Sequence, residues 1–207
     1  MKYIKSSFAI LMAFLICTSL ASCSKPIDWS KYPVETIDAL YTYDINDERQ
    51  AVGIVNYVFV GKVLSFDDTE YRRVTETKLP DGTVSRFGVP YSHFTVVVTQ
   101  NIKGDLITEE PIEVIKHGGI TIDGEKLFVF SDGDAMPEVG ETYVFRATAQ
   151  EDGPLLVAGP KSNVRVENVD PNGIVDKYVD AYNNEIVNEL VTEMKRYLSK
   201  YDVNYKG

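Results

Sequence analysis

Covalent catalysis needs a serine, threonine or cysteine with a base beside it, and metal chemistry needs clustered His, Cys, Asp or Glu. This sequence is poor in both, with two histidines, His93 and His117, and two cysteines, Cys17 and Cys23. The histidines lack the short local spacing of a zinc site and read as solvated surface residues. Asp132-Gly133-Asp134 lacks the ligand series of a calcium loop and reads as a turn, and Asp67-Asp68-Thr69-Glu70 as a solvated strand end. Glycosidase carboxylates pair only in space, so an enzyme with a carboxylate-based site stays as an alternative. Tyrosine is frequent, with 13 residues. Tyr91 could stack on a sugar ring, while half-buried strand tyrosine is the plainer reading. No catalytic, metal-ligating or cofactor-binding residue is assigned.

Cys23 is the one residue with a chemistry of its own. Lys2 and Lys5 precede an uncharged apolar run, Phe8 to Leu20. That run is about 13 residues long, against the roughly 20 a membrane-spanning helix needs, so it reads as the core of a signal peptide. It ends on Leu20-Ala21-Ser22-Cys23, which resembles the lipobox of bacterial lipoproteins. The resemblance implies cleavage after residue 22 and lipidation of Cys23. Two or more acyl chains, at roughly 0.8 kcal/mol per buried CH₂, then hold the protein stably to a membrane. Ser24, by the same resemblance, implies sorting to the outer membrane of a two-membrane cell; in a one-membrane cell the anchor is the outer leaflet of the cell membrane.

Cleavage also removes Cys17, so the expected mature chain forms no internal disulfide. Loss of Lys2 and Lys5 takes the net charge from −10 to −12. Such a balance speaks against nucleic acid and against an anionic membrane surface as partners, since both attract basic patches.

The elements that carry these residues are mainly strands. Residues 23–45 hold two prolines and no sustained period, and read as a lipidated tether. Trp29 within it is a candidate for ligand stacking, for interfacial anchoring, or for packing back on the domain. Asn46 or Asp47 caps a short helix over about 47–55. Tyr57 to Phe66 is apolar at nearly every position and predicts a strand buried on both faces. Residues 71–78 and 83–87 flank a Pro80-Asp81-Gly82 turn, as in a hairpin. From Tyr91 to Ile102, period two puts Phe94, Val96, Val98 and Ile102 on one face, with His93, Thr95 and Thr99 on the other. Further strands are predicted at 112–117, 127–130, 141–148, 155–158 and 164–166. In 170–207, apolar residues recur every four from Ile174 to Leu198 behind an Asp170 cap, which predicts a long amphipathic C-terminal helix of about 28 residues.

The blocks NYVFVGKVLSF, YSHFTVVVTQNIKGDLITEEPIEVIKHGG and MPEVGETYVF resemble the netrin-like or tissue-inhibitor-of-metalloproteinase-like domain. That resemblance covers about residues 56–148 and implies an OB-like Greek-key barrel, here over 46–169. The inhibitory mechanism of the eukaryotic members does not carry over. It uses a free N-terminal cysteine amine and disulfides, whereas Cys23 is expected to be acylated and without a partner cysteine. A shared fold carries no function of its own. The expectation is therefore a membrane-anchored extracytoplasmic lipoprotein facing the exterior, a non-catalytic module that binds a protein or an envelope polymer. A structural accessory of a membrane complex, docked through the C-terminal helix, is a further alternative.

Overall fold

The computed structural model describes residues 27–167, 171–187 and 196–206. The signal peptide, Cys23, the Asp170 cap and residues 188–195 of the expected helix lie outside the described residues. The order is β1 (Val34–Ile37), α1 (Glu48–Gly53), β2 (Tyr57–Lys78), β3 (Val84–Lys103), β4 (Pro111–His117), β5 (Gly119–Ile120), β6 (Leu127–Phe130), β7 (Thr142–Ala149), β8 (Leu155–Val157), β9 (Asn163–Arg165) and α2 (Pro171–Asn183).

Five strands close a barrel in the order β2-β3-β4-β8-β7, with β7 returning to β2. The β4–β8 pair is parallel and the other barrel pairs are antiparallel. This arrangement fits an OB-like barrel. β9 extends the β8 edge along β7, and β1, β6 and β5 form a separate small sheet.

β2 is buried on both faces over its first residues because the barrel fills one side and helices cover the other. Tyr57, Phe59 and Val63 join Phe94, Val96, Phe145 and Leu155 inside the barrel. Val58 and Val60 instead meet Val52 of α1 with Tyr178 and Ala181 of α2. α1 starts where Asp47 accepts the Arg49 backbone N–H at 3.0 Å, satisfying one of the free donors of a first turn. On β3 the predicted alternation holds from Ser92 to Val98. The register then shifts, and Ile102 packs on the outer, helix-covered cluster rather than with Val98. The 71–87 hairpin runs out from the barrel, and Gly82 takes φ +86° at its turn, a conformation cheap only for glycine.

Two expectations are corrected. Residues 27–37 are not free tether: β1 pairs in parallel with β6, and the buried Trp29 donates Nε1–H to Pro137 O at 3.0 Å while meeting Phe66 edge-on. Packing back on the domain is therefore what Trp29 does. The long C-terminal helix is also absent as drawn, because α2 stops at Asn183. Asn184 closes the last turn onto Asp180 O, and Ile186 N–H then donates to Arg49 O of α1. Gly53 permits that crossing, since a Cβ there would sit 2.1 Å from Ile186 O. Residues 196–206 form a strap over the barrel: Ser199 Oγ donates to Gly153 O, Tyr57 Oη donates to Asp202, and Leu106 bridges Asp202. Bonds to groups already fixed by the barrel override a local period of four, so Ile186, Val187 and Leu198 stay exposed.

Val96→Asp, at a fully buried site, should cost about 4 kcal/mol or more by urea denaturation, because it buries an unpaired charge. Thr95→Lys, which faces Asp67 across the strand pair, should change stability by less than about 1 kcal/mol. Similar losses for the two would refute the inward and outward assignment.

Candidate functional site

His93 lies on the outer face of β3 between two carboxylates. Its Nδ1 is 2.8 Å from Glu113 on β4 and its Nε2 is 3.4 Å from Glu70 on β2. Arg72 holds Glu70, and Lys200 of the C-terminal strap reaches Glu113. His93 is thus not a solvated surface residue. Glu70 and Glu113 flank a common point, as glycosidase acids do, but a general acid needs a raised pKa. Both are lowered instead, Glu70 chiefly by its bond with Arg72 and Glu113 by its bond with His93. This face is the one OB barrels present to oligonucleotides and oligosaccharides. Here acidic groups and their clamps fill it. The Asp67–Glu70 run is likewise inside β2 rather than at a strand end, with Asp67 accepting from Ser65 and Thr95.

His117 stacks on Tyr91 at 4.5 Å and meets Phe130 edge-on, and Arg72 lies 4.1 Å over the Tyr91 ring. Arg72 and His117 already stack on Tyr91, which argues against it as a sugar platform. His117 is half-buried rather than solvated, and burial, aided by Lys116, Arg72 and Arg73, pushes its pKa down to about 4.

Asp132-Gly133-Asp134 is a turn, as expected, with Asp132 at φ +65° and Gly133 at φ +83°. Its last residue does more: the Asp134 side chain is 1% exposed and accepts from Lys116 Nζ, itself 0% exposed, at 2.6 Å. Lys116 also donates to Ser162 Oγ at 2.9 Å. A serine–lysine pair can be nucleophile and base, provided the lysine is neutral and the serine open to substrate. Burial does push the Lys116 pKa down, but Asp134 in contact opposes it, and Ser162 is only 1% exposed. The trio is structural. The alternation that buries Ile112 and Val114 put Lys116 inside as well, so this residue was visible in the sequence and missed.

Beside the trio lies an open cleft of about 490 Å³ between β9, α2, Glu48 and the 133–138 loop, within the usual size range of ligand sites. Val164, Ile174 and Tyr178 contribute apolar surface; Lys161, Arg165 and Lys177 contribute cations, and Glu48 and Glu138 contribute carboxylates. Lys161 adopts φ +52°, a strained value for a residue with a Cβ, worth about 1–3 kcal/mol. The buried Arg146 holds that turn by donating to Pro160 O and Lys161 O, while Lys116 holds Ser162 next to it. Asn163, 8% exposed, lines the cleft. Its Nδ2 donates to Ala135 O, and its Oδ1 has no hydrogen-bond partner. A buried unpaired carbonyl costs about 1–3 kcal/mol. No motif announces Lys161 and Asn163; their roles come from tertiary contacts.

Compared with protein-family models, with curated proteins and with solved structures, the chain gives no match. Among the described residues no group of three or more His, Cys, Asp or Glu is placed to hold a metal, and no helix is long and apolar enough to cross a membrane.

Acid sensitivity follows from His117. Its folded pKa, about 4, lies below the ordinary 6.5, so the unfolded chain binds more protons between those values and stability falls as pH drops through that window. His117→Phe keeps a ring in the stack and removes the proton. Its urea midpoint should decline less than the wild type's between pH 7 and pH 4.5; parallel declines would contradict the assignment.

Proposed function

We propose that the protein is a lipoprotein anchored through acylated Cys23, facing the exterior, whose barrel is a non-catalytic module that binds a partner protein or an envelope polymer. The lipobox-like Leu20-Ala21-Ser22-Cys23 supports the address. On the finer fold reading, the domain is an OB-type Greek-key barrel of the netrin-like kind; the strand order and the parallel β4–β8 pair support it.

One observation carries the binding reading: the cleft beside β9 is preorganised, while the groups capable of chemistry are locked in pairs. Two buried cations, Lys116 and Arg146, are spent on the 160–162 turn that lines the cleft. Preformed apolar surface with a few fixed polar groups is the signature of a binding site. Glu70, Glu113 and Ser162, by contrast, are engaged by Arg72, His93 and Lys116, which disfavours the carboxylate-enzyme alternative.

The address is tested by detergent phase separation and mass spectrometry. Wild type should enter the detergent phase carrying lipid mass, and Cys23→Ala should not. A wild-type protein in the aqueous phase without lipid would refute it. A photocrosslinker at Arg165, compared with one at the exposed Lys62, tests the cleft: capture of an envelope species at 165 alone is expected, and equal capture at both contradicts the reading.

A further inference from the structure

Resting on the acylation of Cys23, we infer that the barrel is seated directly on the membrane that holds it, and that the patch formed by Ile27 to Lys31 with Glu138 and Val139 is the surface that meets the phospholipid headgroups.

The distance follows from covalent geometry. A lipidated tether over residues 23–45 would let the domain stand off from the bilayer, but the chain is already fixed to the barrel at Ile27. That side chain packs on the barrel core, Asp28 accepts the Ser30 N–H at 3.2 Å to open a 3-10 turn over Trp29–Lys31, and the buried Trp29 is bonded to Pro137 O. Only Ser24, Lys25 and Pro26 separate Ile27 from the acylated cysteine. Four residue steps span at most about 14 Å in any conformation. Part of that length is used within the headgroup layer, because the acyl chains on Cys23 lie in the hydrocarbon beneath it. A domain of this size has a radius of gyration of about 15 Å. Its anchored side therefore cannot leave the bilayer surface by even that distance.

The barrel decides which residues sit beside that anchor point. Asp28, Trp29 and Ser30 line one surface pocket with Ile27, Glu138 and Val139, and Val139 packs on the same core as Ile27. Val34, 61% exposed, joins Trp29 and Ser30 in the neighbouring groove and adds apolar surface at the edge of the patch. Charge does not draw the patch to lipid, since Asp28 pairs with Lys31 and Glu138 with Arg165. The short link holds it there, so the seating needs no anionic lipid. Glu138 also lines the cleft beside β9. One edge of that cleft thus adjoins the patch, and a partner bound in the cleft lies next to the membrane.

The test places a fluorophore on one introduced cysteine of the mature lipidated protein, either Lys31→Cys on the patch or Asp152→Cys in the turn after β7. Both positions are exposed, and β7, eight residues and roughly 26 Å long, separates the second from Glu138. The protein is reconstituted in phosphatidylcholine vesicles that contain a phosphatidylcholine with a nitroxide on its headgroup. The nitroxide should quench the label at 31 and leave the label at 152 bright. Insertion of about 20 Gly and Ser residues after Ser24, with an r.m.s. span of roughly 25 Å, should remove the quenching at 31 while the protein stays on the vesicles. Quenching at 31 no stronger than at 152, or quenching that survives the insertion, would overturn the inference. If the protein carries lipid and binds the vesicles but the label at 31 stays bright, the seating falls and the address stands. If it carries no lipid and stays off the vesicles, both fall together.

Discussion

The structure depends on a buried ion pair. An ammonium inside a barrel, stripped of water, must find a carboxylate or give up its proton. Lys116 reaches the interior on β4, and Asp134 arrives from the loop after β6. That loop therefore cannot wander. Once Asp134 is placed, Ala135 O receives Asn163, Pro137 O receives Trp29, and Glu138 N–H donates to Tyr143 Oη. One short segment thus ties the N-terminal turn, the barrel and β9 together. By itself such a pair adds little net stability, because desolvation offsets its attraction; what it supplies is a unique arrangement.

Arg146 extends the same logic outward. On β7 its side chain faces the 160–162 turn, and three polar contacts between that residue and the turn fix a left-handed lysine. The two buried cations act on adjacent residues, Arg146 on Pro160 and Lys161 and Lys116 on Ser162. The cleft wall, although built from a loop and an edge strand, is thereby bonded directly to barrel strands β4 and β7. Helices α1 and α2 cover the outer face of β2 and β7 nearby, so the second layer of the domain also forms the far side of the cleft.

Legibility in the sequence followed the range of the interactions. Period two and turn residues are local, and they located β3, β4, β6, β7 and the Pro80-Asp81-Gly82 turn. Double-sided burial of Tyr57 to Gly61 was equally plain in an unbroken apolar run. The described residues after Asn183 depart from their sequence pattern for the opposite reason. The period of four is real, but contacts more than a hundred residues away in sequence, such as Tyr57 with Asp202 and Ser199, hold the chain in another path. Asn163 and Lys161 were silent because a free acceptor and a strained φ exist only once a distant loop and strand meet.

The central claim, that Lys116 and Asp134 act as one unit on which the loop depends, is tested most directly by a double-mutant cycle in urea denaturation with Lys116→Met, Asp134→Leu and the pair together. Each single change leaves a buried charge unmatched and should cost about 3–5 kcal/mol. The double variant should recover most of that loss, since it leaves no charge to compensate. Losses that simply add would show two independent residues and contradict the account.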